Sequence, residues 1–283
     1  MLVWLMMMVR FATAAVIFTV LILGAISASS QPQGKLKTSP TLAVTDSGGW
    51  KLLEKGVEFR RMALERSEPN QLVDLKLLRL DTRWVVPRVL HSPRFQLKSA
   101  NVKTFAEKSG ALAAINANYF DTDGKPLAFL KVASQTINSR VAKTALYTGV
   151  FGIKDQRPFI VHRDEFVPEQ VDEGLQSGPL LLFHGAAQEI TRVPSRAHRR
   201  ALIGIDQEQR LVAAVADCIF GGLYWPELQE IFSDAAWQIQ LTDLLNLDGG
   251  GSAQIYIKAG KFEDMVAGTS EVPVAIGFFR RPN

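Results

Sequence analysis

The chain has 283 residues, 47% hydrophobic and 21% charged, with 16 Phe and 5 Trp, which excludes a disordered or collagen-like polymer and allows one large core. Its 32 basic and 28 acidic residues leave a net charge of +4, interspersed rather than gathered in a Lys/Arg block, so nucleic acid is not an expected partner. One cysteine, Cys218, excludes an internal disulfide framework and, with four scattered histidines, the usual Cys/His zinc arrangements; any metal would need oxygen ligands.

Phe11 to Ile26 runs without a charge, after Arg10 and before Ser27-Ala28-Ser29-Ser30, the layout of an export signal; a start at Met8 would give a more ordinary signal length. Phe11 to Ala28 is also close to the roughly 18 to 20 residues that cross a bilayer. Residues 1–29 therefore read as a signal peptide or an N-terminal membrane anchor, residues 30–41 as a flexible tether, and residues 42–283 as the folded domain. Either reading exports the domain to the periplasm or the exterior, with membrane anchoring through residues 11–28 as the second form. The lack of disulfides and of Asn-x-Ser/Thr acceptors favours a bacterial envelope.

Val57 to Glu65 and Gln71 to Asp81 predict a hairpin around Ser67-Glu68-Pro69-Asn70 that opens the fold. Asn101 to Ser109 has helical spacing, with Ser99 or Asn101 as its cap and Gly110 as its stop. Leu112 to Ile115 is continuously apolar, the pattern of a strand covered on both faces, and delivers Asn116-Ala117-Asn118-Tyr119-Phe120-Asp121 at its exit. Leu127 to Ala216 is predominantly β, with hairpins at Thr148 to His162 and Leu202 to Val215. A second helix begins at Trp225-Pro226-Glu227, where Pro suits the first turn. Leu244 to Leu247 then runs as a buried strand into Asp248-Gly249-Gly250-Gly251-Ser252, before a hairpin turning at Ala259-Gly260-Lys261. The expected architecture is α+β, a mixed and mostly antiparallel sheet with a few packed helices in one domain. Two helix-then-strand units end in polar or glycine-rich exits, and both exits are expected to face one cleft.

Three consecutive glycines, Gly249, Gly250 and Gly251, fit either an anion-binding nest of bare N–H groups or a tight turn; no Lys-Ser/Thr follows them, so this is not a Walker loop. Asp248 can serve as acid, base or nucleophile, or can cap its own turn. Ser177, before Gly178-Pro179, lies outside any Gly-x-Ser-x-Gly elbow and reads as a hydrogen-bonding or structural residue. Arg196, Arg199 and Arg200 offer guanidinium forks for phosphate oxygens, or a solvated basic loop. Asp121-Thr122-Asp123-Gly124 opens like a calcium loop but lacks the closing Glu, so a divalent cation is not supported and no cofactor is expected.

Taken in order, Ala114-Ile115-Asn116-Ala117-Asn118-Tyr119-Phe120-Asp121, Gln176-Ser177-Gly178-Pro179-Leu180, Arg200 to Asp206, Asn246-Leu247-Asp248-Gly249-Gly250-Gly251-Ser252 with Tyr256, and Val272 to Gly277 resemble the phosphodiester glycosidase family. Asn118 and Ala201 depart from that family's usual glycine and threonine. The resemblance covers residues from about 57 to 278 and implies hydrolysis of a sugar phosphodiester or phosphate-containing glycan in envelope metabolism. It implies Asp248, Asn116, Asp121 and Arg200 as catalytic residues, with Ser177, Gly178, Gly249, Gly250, Gly251 and Ser252 binding substrate, and Asp121 as the leading second carboxylate. The competing expectation is a non-catalytic polysaccharide-binding or scaffold protein of the envelope.

Overall fold

The computed structural model describes residues 42–66, 70–191 and 196–282. The expected signal or anchor (1–29) and tether (30–41) lie outside the described residues, as does part of the expected first hairpin turn. In chain order the elements are β1 (Leu42–Ser47), β2 (Lys51–Glu54), β3 (Val57–Arg66), β4 (Gln71–Leu80), β5 (Val85–His91), α1 (Val102–Ser109), β6 (Ala113–Asn116), β7 (Leu130–Val132), β8 (Gln135–Asn138), β9 (Gly149–Lys154) and β10 (Arg157–His162). There follow β11 (Glu173–Ser177), β12 (Leu180–Phe183), β13 (Ala186–Ala187), β14 (Arg200–Asp206), β15 (Leu211–Asp217), α2 (Trp225–Ser233), β16 (Leu241–Asn246), β17 (Ile255–Ala259), β18 (Phe262–Val266) and β19 (Val274–Arg280).

The strands make three sheets among the described residues: β1-β3-β4-β15-β14-β16-β12-β13 with β2 beside β3, then β10-β9-β11-β7-β8, then β18-β17-β6-β19-β5. Adjacent strands pair antiparallel throughout, as in β14 with β15 and β16. The expectation of a single mixed sheet is corrected on both counts. The helix-then-strand units do not make parallel crossovers: β6 lies between β17 and β19, antiparallel to both, and β16 lies between β12 and β14 in another sheet. The mostly antiparallel, few-helix character is as expected.

Burial explains the continuous apolar runs. On β14, Ala201, Ile203 and Ile205 enter the core shared with the two smaller sheets, while Leu202 points to the opposite face, under Trp225, Leu228, Phe232 and Trp237. Strand β15 divides in the same way, Ala213 and Val215 to one side, Ala214 and Ala216 to the other. A central strand covered on both faces has no position for alternating polar residues. Helix α1 packs Val102, Phe105 and Ala106 against Ala114, Tyr256 and Ala275 of the third sheet. Its cap is Asn101, whose side chain accepts from the Thr104 N–H at 2.9 Å, and Gly110 ends it at φ 77°. Strands β1 and β2 precede the hairpin β3–β4, so that hairpin does not open the fold. Among the described residues no helix is long and apolar enough to cross a membrane.

Candidate active site

The exits of β6 and β16 meet. The Asp248 N–H donates to the Ala117 carbonyl at 2.9 Å, and Asn116 Nδ2 donates to the Asp248 carbonyl at 2.7 Å. Asn116 Oδ1 accepts from the Gln254 N–H at 3.0 Å, and the Leu247 N–H donates to Ala201 at 2.8 Å. Two strands in different sheets are thus tied at their ends, and β14 is tied with them. Asn116 is fully buried with both side-chain polar atoms held by backbone, so it fixes the two exits against each other.

Tyr119 forms a second tie. Its hydroxyl donates to the Gly178 carbonyl at 2.7 Å and accepts from Asn246 Nδ2 at 3.0 Å; Asn246 Nδ2 also reaches Gly178 at 2.9 Å. The Tyr147 ring meets that of Tyr119 edge-on, 5.5 Å between centroids. Gln176 holds the segment carrying Tyr147, donating from Nε2 to the Ala142 and Tyr147 carbonyls at 2.7 and 2.9 Å. Gly178 lies at φ 151° after the wholly buried Ser177, and a Cβ there would overlap the Leu146 carbonyl oxygen. Its glycine is required by the fold at that point.

Asp248 sits among these groups. Burial raises its carboxyl from 3.8 to about 6, against the opposing hydrogen bonds from the Ser252 hydroxyl and the Gly249 N–H. Burial likewise raises the Tyr119 and Tyr147 hydroxyls, with the Asp248 charge as the next cause. Arg200 pulls the Tyr119 hydroxyl the other way, so Tyr119 feels both the carboxylate and the guanidinium.

Arg200 opens β14 and is 5% exposed. Its Nε donates to the Leu223 carbonyl at 2.9 Å and its guanidinium lies 5.1 Å from the Trp225 ring centre, but Nη2 is buried without a partner. Desolvation lowers its pKa from 12.5 to about 10, with weaker opposing effects from Tyr119 and Glu227. The other two arginines behave differently. Arg199 pairs with Asp217 at 2.9 Å and donates to the Ala267 carbonyl at 2.7 Å, and Arg196 is exposed. Beside Arg200 Nη2, the buried atoms without partners include Trp225 Nε1, Ser177 Oγ, Asn118 Oδ1 and Asn246 Oδ1. All five belong to residues of this cluster or their chain neighbours.

Of the two forms the sequence left open, the glycine loop takes the tight turn. The Gly249 N–H bonds the Asp248 carboxylate, the Gly250 N–H donates to Arg199 at 2.9 Å, and the Ser252 N–H donates to Gly249 at 3.2 Å. These amides are turned inward. The glycines instead permit close approach: a Cβ on Gly249 would stand 2.8 Å from the Arg199 carbonyl, and one on Gly251 2.7 Å from Thr269 Oγ1. Asp121 differs from expectation. Its Oδ1 accepts from the Asp123 and Lys125 N–H groups at 2.9 and 2.8 Å, a local turn cap, and it lines a surface cleft with His91 and Lys98. A separate open cleft of about 870 Å³ lies beside Gly250 and Gly251 and is lined by Arg199, Asp217 and Phe220, without Asp248 or Arg200.

The sequence did not single out Tyr119, Asn246, Tyr147 or Trp225 for a role here. Tyr119 and Asn246 stood inside the recognised motifs, whereas Tyr147 lies in a loop with no pattern of its own and Trp225 read only as a helix start.

The fold and site define a mainly β protein whose sheet ends carry one half-buried carboxylate and one buried guanidinium without a carboxylate bonded to it. Residues 109–279 match the model of the phosphodiester glycosidase family, and the chain belongs to that family of hydrolases. Its fold is similar to the catalytic domain of zebrafish N-acetylglucosamine-1-phosphodiester alpha-N-acetylglucosaminidase, described as auto-inhibited by its pro-peptide, at TM-score 0.62 and 16% identity over 85% of this chain and 89% of that one. It is also similar to a hypothetical protein from Synechocystis (TM-score 0.58, 14% identity, 83% of this chain, 64% of that one). A third likeness is to a Burkholderia pseudomallei K96243 protein described as exported (TM-score 0.54, 11% identity, 74% of each chain). At these identities the likenesses show the fold. No curated protein matches the chain.

Proposed function

We propose that the chain is an exported hydrolase of the bacterial envelope that cleaves a sugar-1-phosphodiester at the anomeric carbon. The observation that carries the reading is Arg200: a buried guanidinium with an open Nη2, placed where Tyr119 senses both it and Asp248. Burying a charge without a paired carboxylate costs several kcal/mol, of order, unless a ligand supplies the opposite charge. A phosphodiester oxygen does so, and the Arg200 contact is strongest as the leaving phosphate gains charge.

In this reading water adds across the bond between the anomeric carbon and the phosphate oxygen. The sugar leaves with a hydroxyl and the phosphate leaves as an anion. A phosphate leaving group needs little protonation, so one carboxylate is enough, and Asp248 acts at the sugar in its ionised form as base or nucleophile. Ser252 orients the Asp248 carboxylate, and Ser177, wholly buried, supports the turn at Gly178 from behind. Gly178 and the glycine loop shape the backbone around them. Asp121 is left to its turn.

The test is product release. The purified chain, incubated with a synthetic sugar-1-phosphodiester or a UDP-sugar, releases free reducing sugar, and Asp248→Asn does not. Binding of the phosphodiester without reducing sugar would make the chain a glycan-binding protein instead.

A further inference from the structure

The two most exposed large apolar side chains among the described residues, Ile219 at 90% and Phe220 at 80%, are neighbours, and Leu72 at 66% lines the same open cleft. Their exposure is built into the backbone. The loop that carries Ile219 and Phe220 ends in Gly221 and Gly222, at φ 84° and 135°, a conformation that L side chains rarely adopt. A Cβ on Gly221 would overlap the Gln71 side chain and one on Gly222 the His198 carbonyl, so the loop is pressed against two neighbouring segments with its apolar tips outward. Within the cleft the charges are already paired, Arg61 with Asp74 at 2.7 Å and Arg199 with Asp217 at 2.9 Å. What the rim offers is apolar surface.

The position of this rim along the chain indicates what covers it. The first described residue, Leu42, pairs with Arg66 at the end of β3, and Arg66 Nη2 donates to the Gly222 carbonyl at 3.2 Å. The chain therefore enters the fold at the same end of the large sheet as the apolar loop. In the sequence the uncharged run from Phe11 to Ala28 stops 13 residues before Leu42 (residues 29–41). A connection of that length reaches at most about 45 Å when fully extended. A run long enough to cross a bilayer would hold the Leu42 end of the domain near the membrane surface.

We propose that Leu72, Ile219 and Phe220 form a bilayer-docking edge, which seats the domain on the membrane with residues 11–28 retained as its anchor. Apolar tips at a rim whose charges are already paired suit the boundary between headgroups and acyl chains. This placement does not depend on the hydrolytic reading.

The experiment uses the full chain in phosphatidylcholine vesicles. In a Cys218→Ser background, Ile219→Cys carries a bimane fluorophore, and emission is compared with and without doxyl-labelled lipid. Phe220→Cys provides a second vantage on the same loop, and circular dichroism confirms that each labelled chain is folded. The control is Leu52→Cys, an apolar position as exposed as Leu72, at 66%. Leu52 pairs with Glu58, eight positions along β3 from Arg66 (66 − 58), about 27 Å away. We expect emission from position 219 or 220 to fall at least about two-fold with the spin-labelled lipid while position 52 is unchanged. No quenching at either loop position, or equal quenching at position 52, overturns the proposal, as does a loop shielded only by a second copy of the chain at high protein concentration.

Discussion

Asn116 reaches from the end of one sheet to the Asp248 carbonyl in another, 2.7 Å away, and takes the Gln254 N–H on its other atom at 3.0 Å. A single side chain thus bridges β6, the β16 exit and the start of β17. Replacing it with alanine leaves a buried carbonyl and a buried N–H without their partners. Asn116→Ala should lower stability by about 2 to 4 kcal/mol. Urea unfolding checks this; an unchanged midpoint and slope would show that the bridge carries little.

Asp248 combines a cost in stability with the role in turnover proposed for it. Its carboxyl titrates at about 6 in the folded chain against 3.8 as the ordinary value, so between those pH values the folded state binds more protons than the unfolded one. Stability therefore falls as pH rises through that window and levels off above it, by up to about 3 kcal/mol. Asp248→Asn should remove this slope, melting higher than the parent at pH 7.5 and similarly at pH 4. On a sugar-1-phosphodiester the same variant should lose about 10² to 10⁴ in turnover. In the parent, kcat/KM should rise as pH passes upward through about 6, as the carboxylate forms. A melting difference that is the same at both pH values would contradict the burial argument.

Arg200 is expected to recognise phosphate more than sugar. Arg200→Met keeps an apolar chain against Trp225 and removes the open Nη2 and its charge. We expect KM for the phosphodiester to rise about ten- to hundred-fold, from a charged hydrogen bond of about 1.5 to 3 kcal/mol. Binding of an uncharged glycoside analogue should change by less than about two-fold, since no charged contact is lost there. Isothermal titration with both ligands separates the cases, and equal losses would remove the phosphate contact from the mechanism.

Asp121 should matter to its turn and little to chemistry. Asp121→Ala releases the Asp123 and Lys125 N–H groups and should cost about 0.5 to 2 kcal/mol by analogy with other side-chain caps. Turnover measured under folding conditions should stay within about two-fold of the parent, because the single-carboxylate reading does not use this group. A loss of a hundred-fold would restore it as the second carboxylate.

Much of this was legible because burial and turn chemistry are local. Continuous apolar runs such as Leu202 to Ile205 marked strands covered on both faces, and Asn101, Gly110 and Pro226 marked helix ends. The meeting of the β6 and β16 exits followed from two similar helix-then-strand units. The division into three sheets was not legible, because which strand hydrogen-bonds to which is a property of distant pairing, and β5, β6 and β19 come together across most of the chain. Nor did the sequence separate Arg200 from Arg199. The two are adjacent, and only the fold gives Asp217 to one and leaves the other inside. The glycines at 249 to 251 fitted an anion nest or a tight turn alike, and only the folded loop, which turns the amides of Gly249 and Gly250 inward and uses the missing side chains for approach, chooses between them.

That approach has a further consequence. The Gly249 backbone rests so close to the Arg199 carbonyl that one added methyl would have to push the two segments apart, and the nearest side-chain atom of Arg200 would stand only 3.9 Å from it. A single-codon change at this position could therefore misalign acid and cation while leaving the three hydrophobic cores intact. A lineage carrying this scaffold could in that way pass from cutting its ligand to merely holding it, without first losing the ability to fold.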